Sequence, residues 1–214
     1  VIFVGAEKSG KSSLINNWLK SNILPTGTGR CTYTSIEILP IDENEKEQVI
    51  VISYFNENEF DEIIKINQDL LDKCSSITDS NYTALEAEKN ELEKCRNDSN
   101  FCQLLQKSKE EKKFPKSDTN AVKKFLAEKI ANANYARALK SITFYTHLFS
   151  TKNVLIYDLP GFDSPTKIHT DLAIKRCQSA DVIVYVKDLV KPSLPLHEIV
   201  MLNTLQKIDQ LIPF

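Results

Sequence analysis

Glycine is scarce in this chain: only 5 of its 214 residues, against an average near ~7%. A large excess of charge of one sign is missing as well. The 27 Lys and Arg against 29 Asp and Glu leave a net charge of -2, so there is no basic field of the kind that draws DNA or RNA. No apolar run approaches the ~20 residues of a membrane-spanning helix; 1–4, 49–52 and 182–186 are short strand-like runs. The five cysteines, Cys31, Cys74, Cys95, Cys102 and Cys177, form no CxxC pair. They read as reduced thiols of a cytoplasmic protein, which excludes a disulfide framework or a zinc knuckle. His147, His169 and His197 are scattered, so no Ser/His/Asp or metal-ligand cluster competes for the chemistry. What remains, 42% hydrophobic and 26% charged, is the composition of one α/β domain. The chain opens on Val1 already inside a strand pattern, and a fragment truncated at both ends is expected.

The glycines fall in three short segments: Gly5 with Gly10, Gly27 with Gly29, and Gly161. Glycine is needed where backbone takes positive φ or approaches a ligand, so three glycine loops in a glycine-poor chain suggest one shared task. The first segment, Gly5-Ala-Glu7-Lys8-Ser9-Gly10-Lys11-Ser12-Ser13, matches G-x-x-x-x-G-K-[ST]. It follows an apolar strand and opens an amphipathic helix over 11–19, the context this motif requires. Consecutive N–H groups and the helix N-terminus would surround phosphates. Lys11 would reach the β and γ phosphates, and the Ser12 hydroxyl would bind Mg²⁺.

The third segment, Asn153 to Gly161, reads as a buried strand ending in Asp158, placed to hold the Mg²⁺ through water, with the Gly161 N–H available to the γ-phosphate. The second segment lies between the first helix and a strand over 35–41. A loop that senses the γ-phosphate needs a hydroxyl for the metal, and Thr28, Thr32 and Thr34 are all chemically able.

Together the Gly5–Ser13 loop with its repeated serine, Leu24-Pro25-x-Gly27-x-Gly29-x-x-Thr32 and Asp158-Leu159-Pro160-Gly161 resemble the GTPase domain of the dynamin superfamily. Strands over 142–149 and 154–157, joined at 150–153, look like the pair leading into that family's DxPG motif. The likeness covers 1–41 and about 141–212. The resemblance implies a P-loop NTPase three-layer fold with a mostly parallel central sheet, and Mg²⁺-dependent hydrolysis of GTP coupled to self-assembly. On it Lys11 and Ser12 carry over as phosphate and Mg²⁺ groups, Thr32 as the switch threonine, and Asp158 and Gly161 as the DxPG pair. GTP and GDP are the implied ligands. Self-association across the nucleotide face and peripheral membrane contact through regions outside this chain are the implied partnerships.

One departure concerns Glu7-Lys8, where dynamins proper carry Gln-Ser. Lys8 occupies the place where guanylate-binding proteins and atlastins have a P-loop arginine, so Lys8 is a candidate for supplying transition-state charge, as a point donor rather than a planar fork. The same departure motivates an alternative, a nucleotide-dependent interaction module that scarcely hydrolyses. A third reading, an ATP-using P-loop protein, is opposed by the paired glycines before Thr32.

Residues 57–113 contain neither glycine nor proline. Stretches 59–73, 82–96 and 101–113 read as helices, the first with apolar spacing at Phe60, Ile63, Ile64, Asn67, Leu70 and Leu71. A helical insertion at about 57–139 is expected, read as a solvated hairpin with a longer returning helix over 120–139. Near the end, 196–211 has helical periodicity. Gln206-Lys207-Ile208-Asp209 therefore reads as a decoy for the guanine-reading [NT]-K-x-D motif, and 211–214 as the approach to a missing strand.

Overall fold

The computed structural model describes residues 1–6, 8–26, 34–74, 80–131, 133–149, 153–159 and 176–188, with Ile199, Leu202, Asn203 and Gln206. In chain order the elements are β1 (Ile2–Val4), α1 (Lys11–Trp18), β2 (Ile36–Pro40), β3 (Glu47–Tyr54), α2 (Glu57–Lys73), α3 (Ser80–Arg96), α4 (Ser99–Leu105), β4 (Lys109–Pro115), α5 (Thr119–Ala131), α6 (Ala133–Ala138), β5 (Leu139–Thr146), β6 (Ile156–Asp158) and β7 (Ile183–Tyr185).

The strands form one seven-stranded mixed sheet in the order β4-β3-β5-β2-β6-β1-β7. β1 lies parallel between β6 and β7, while β2 is parallel to β5 and antiparallel to β6. β3 completes the other side antiparallel to both β5 and β4. Parallel pairing therefore surrounds the strand that leads into the glycine loop. The α/β class is the one expected from sequence; the pairing is evenly mixed among the described strands, three parallel and three antiparallel pairs rather than mostly parallel, and one strand pair is rearranged. β5 and β6, read as the strand pair before Asp158, are separated by β2.

Side-chain alternation along β1 shows that both faces of the sheet are covered. Phe3 joins the large core with Ile15 and Leu19, whereas Ile2 and Val4 pack on the other face with Leu159 and Cys177. β7 continues the pattern, with Val184 against the first cluster and Ile183 and Tyr185 against the second.

α2 begins where a capping box fixes it. The Asn56 side chain accepts from the Glu59 N–H at 2.9 Å, and the Glu59 carboxylate accepts from the Asn56 N–H at 3.0 Å. These bonds satisfy N–H groups that a helix start leaves without partners. α2 and α3 lie where periodicity places helices. The helix expected over 101–113 is a correction: α4 stops at Leu105, and β4 follows as a strand bonded to β3 from Glu47↔Pro115 to Ser53↔Lys109. Its charged sequence shows no alternation because, of its seven residues, only Phe114 is buried. Charged side chains suit an exposed strand of this kind, and the ladder to β3 overrides the helix preference of Glu and Lys. The returning helix over 120–139 is α5 followed by α6, with Leu139 already in β5. Gln206 is helical, in keeping with the periodic reading of its segment.

Candidate phosphate and metal site

β1 delivers the chain into the glycine loop at Gly5, whose φ of +150° and surroundings both demand glycine. A Cβ there would lie 2.2 Å from the Val186 carbonyl oxygen and 2.9 Å from Ser9 Oγ. Val186 is held close because its N–H donates to the Val4 carbonyl at 2.7 Å, continuing the β1–β7 ladder. The loop then turns through Lys8 (φ 63°) and Gly10 (φ 96°), both left-handed. Gly10 is the N-cap of α1 and has no side chain to cap it, and the first turn carries no acidic residue. The N–H groups and positive dipole end of α1 are thus left to an anion rather than to the protein's own carboxylates.

Lys11, only 6% exposed, folds back along this loop. Its ammonium donates to the carbonyls of Gly5 at 3.1 Å and Ala6 at 2.8 Å. Ser12 stands in the same helical turn, and its hydroxyl donates to Asp158 Oδ2 at 2.6 Å. That contact depends on the sheet, because parallel pairing of β1 with β6 sets Phe3 beside Asp158. The carboxyl ends of the two strands consequently open on one edge, where α/β sheets place ligands.

Asp158 is buried, and its second oxygen, Oδ1, has no hydrogen-bond partner among the described residues. Burial pushes the Asp158 carboxyl up to about 6, opposed by the Ser12 hydrogen bond and the Lys11 charge. Ser9 Oγ is likewise buried without a partner. Buried polar atoms left unpaired are costly. The Ser12 hydroxyl and the Asp158 carboxylate, whose Oδ1 is unpaired among the described residues, are hard oxygen donors of the kind that fit Mg²⁺. The uncapped α1 terminus fits phosphate oxygens.

Of the residues nominated from sequence, the fold brings Gly5, Ser9, Gly10, Lys11, Ser12 and Asp158 together. Lys8 and Ser13 sit exposed on the loop and on α1. Glu7, Thr32 and Gly161 lie outside the described residues, as do Thr28 and residues 211–214. The third threonine able to act, Thr34, is placed elsewhere. It is buried, and its hydroxyl donates to the Leu139 carbonyl at 2.7 Å, tying β2 to β5. One residue the motif reading does not find is Asn16, buried on α1 and bonded to the chain at Ile23 and Leu24. Its signal is modest: an asparagine next to Ile15 on a helix face that should be apolar.

Comparison with known proteins points the same way. The model of the dynamin family matches residues 1–193. Dynamin-like protein A of Bacillus subtilis (strain 168) is 27% identical over 187 residues, covering 85% of this chain and 15% of that protein. Two solved structures of an oligomerised bacterial dynamin pair, described as a mechanism for long-range sensing and tethering of membranes, share the fold. One superposes with a TM-score of 0.62 at 17% identity, covering 94% of this chain and 29% of that one. The other has a TM-score of 0.52 at 19% identity, covering 86% and 26%. The chain thus spans less than a third of the length of each of these relatives.

Proposed function

This chain belongs to the dynamin family, and on that premise we propose that it binds GTP with Mg²⁺ and hydrolyses it, in a cycle coupled to self-association. The observation that carries this reading is the 2.6 Å bond from Ser12 to Asp158, which joins residues 146 positions apart. It unites the glycine loop with the strand end that a metal-assisted phosphoryl site needs.

The N–H groups of the Gly5–Ser13 loop, in which the sequence places Glu7 and Lys8, would surround the phosphates, and Lys11 would exchange its two carbonyl partners for phosphate oxygens. Ser12 and Asp158 would hold the Mg²⁺, with the Thr32 hydroxyl nominated from sequence as a further oxygen. When bound, the metal would supply charge neutralisation at the phosphates. Water oxygen bonds to the γ-phosphorus as the bridging P–O bond breaks, giving GDP and phosphate. Lys8 would add positive charge from the exposed side of the loop, and the Gly161 N–H is the donor to the γ-phosphate nominated from sequence. No side chain is assigned as a strong base.

The dynamin-pair structures are of an oligomerised assembly that senses and tethers membranes. They support self-association and a membrane link; the face proposed for the self-association is the one that binds nucleotide. Among the described residues no helix is long and apolar enough to cross a membrane.

The test is hydrolysis of GTP and ATP by the full-length protein over a range of protein concentrations, with Mg²⁺ and with chelator. GTP turnover per molecule that rises with concentration, disappears with chelator and falls at least about tenfold in Ser12→Ala supports the reading. A preference for ATP overturns the choice of base. Tight GTP binding without turnover would favour the interaction module that Glu7-Lys8 suggests.

A further inference from the structure

The helix that carries Lys11 and Ser12 is tied by one buried side chain to the segment that follows it. Asn16 is 8% exposed and stands one turn after Ser12 on the same face of α1. Its Oδ1 accepts from the N–H groups of Ile23 at 3.1 Å and Leu24 at 2.8 Å. Its Nδ2 donates to the Leu24 carbonyl at 2.9 Å and to Asn22 Oδ1 at 3.3 Å.

The chain reaches this position through a tight helix ending. Lys20 takes a left-handed φ of 50°, and the Ser21 N–H donates back to the Asn16 carbonyl at 3.0 Å. Ile23 and Leu24, both fully buried, then run back alongside α1. Without the Asn16 amide, two N–H groups and a carbonyl would be buried there with nothing to bond, so the local backbone is set by this side chain.

We propose that Asn16 is a positioning residue of the nucleotide reaction, which fixes the Ile23–Leu24 backbone against the helix bearing Lys11 and Ser12. This rests on the GTP-hydrolysis reading above. Phosphate binding comes from the loop and the first turn of α1, upstream of Asn16. The backbone Asn16 holds leads in sequence to Pro25 and Thr26 and then to Thr32, the metal hydroxyl nominated from sequence, which lies outside the described residues. Its loss therefore acts on the reaction and spares the binding of diphosphate, because small misplacements of reacting groups cost rate steeply.

The experiment compares Asn16→Ala, Asn16→Asp and the exposed neighbour variant Asn17→Ala in the full-length protein. It measures kcat and KM for Mg²⁺–GTP, affinity for labelled GDP, and thermal midpoint. Asn16→Asp keeps the oxygen for Ile23 and Leu24 and loses the donor to Leu24. The expected order of kcat is wild type, then Asn16→Asp, then Asn16→Ala. Asn16→Ala should fall at least about tenfold, with GDP affinity within about threefold and Asn17→Ala unchanged.

A folded Asn16→Ala with wild-type kcat overturns the proposal, as does a loss of GDP affinity in proportion to the loss of kcat. Should Asn16→Ala fail to fold, the kcat of Asn16→Asp decides on the same two criteria. Wild-type protein that binds GTP without turning it over is the separate failure of the hydrolysis reading.

Discussion

At Gly5 and Gly10 the same residue type answers two different demands, and the difference can be measured. Both have positive φ, so alanine strains either backbone by about 1–2 kcal/mol. At Gly10 that is the whole effect, since a Cβ there meets nothing within 4 Å. At Gly5 the added carbon lies 2.2 Å from a carbonyl oxygen, and that carbonyl belongs to Val186, whose own N–H is bonded to Val4. The carbonyl cannot rotate away without loosening the strand beside β1. Gly5→Ala is expected to lower the thermal midpoint at least twice as far as Gly10→Ala and to abolish binding of labelled GDP. Gly10→Ala should lower the midpoint by only a few degrees. Equal losses from the two substitutions would refute the assignment of Val186 as the constraint. The motif made both glycines legible from sequence. The reason Gly5 is the stricter was not, because Val186 is its neighbour only through strand pairing.

Among the elements, α2 shows how far periodicity can be followed and where it misleads. Its buried face reads Phe60, Ile63, Asn67 and Leu71, so the spacing alone identifies the inward stripe, with an asparagine set into it. Asn67 is 3% exposed, and neither its oxygen nor its nitrogen has a hydrogen-bond partner. Burying an amide unsatisfied costs roughly 1–3 kcal/mol, and an apolar residue of similar size removes that cost. Asn67→Leu should therefore stabilise the fold by about 1–2 kcal/mol, seen as a higher urea midpoint with an unchanged slope. A lower midpoint would mean that Asn67 is satisfied in solution. β4 is the opposite case. Its Lys-Glu-Glu-Lys-Lys run resembles a solvated helix because nearly every side chain is exposed, and what makes it a strand is the β3 backbone, which leaves no trace in its own sequence. In the site, by the same logic, the Ser12–Asp158 pair was legible because both residues sit in local motifs. The Asn16 contacts were not, since they depend on how the chain folds back after α1.

For the whole molecule the question is whether residues 57–138 behave as an appendage or as part of the body that holds the glycine loop. Reading the sequence as a solvated hairpin makes them separable, and the packing argues otherwise. Leu92 of α3, Phe101 and Leu105 of α4 and Val122 and Leu126 of α5 belong to the same buried cluster as Ile15 and Leu19 beside the phosphate loop. Phe101 is 3% exposed, and its ring lies 4.8 Å from that of Phe60. Cutting it to alanine should cost about 3–5 kcal/mol, a large part of the stability of an ordinary domain. If the core is one cooperative unit, Phe101→Ala melts in a single transition at lower temperature, and intrinsic fluorescence and helix signal follow the same curve. A ligand that binds only the folded state then stabilises that unit by RT ln(1 + [L]/Kd), about 2.7 kcal/mol at a hundredfold excess over Kd. Saturating Mg²⁺–GDP should accordingly raise the midpoint of wild type and of Phe101→Ala by the same free energy, although Phe101 lies in a helix far along the chain from the loop. Two transitions in Phe101→Ala, with nucleotide shifting only the upper one, would show instead that the helices melt apart from the nucleotide-binding body.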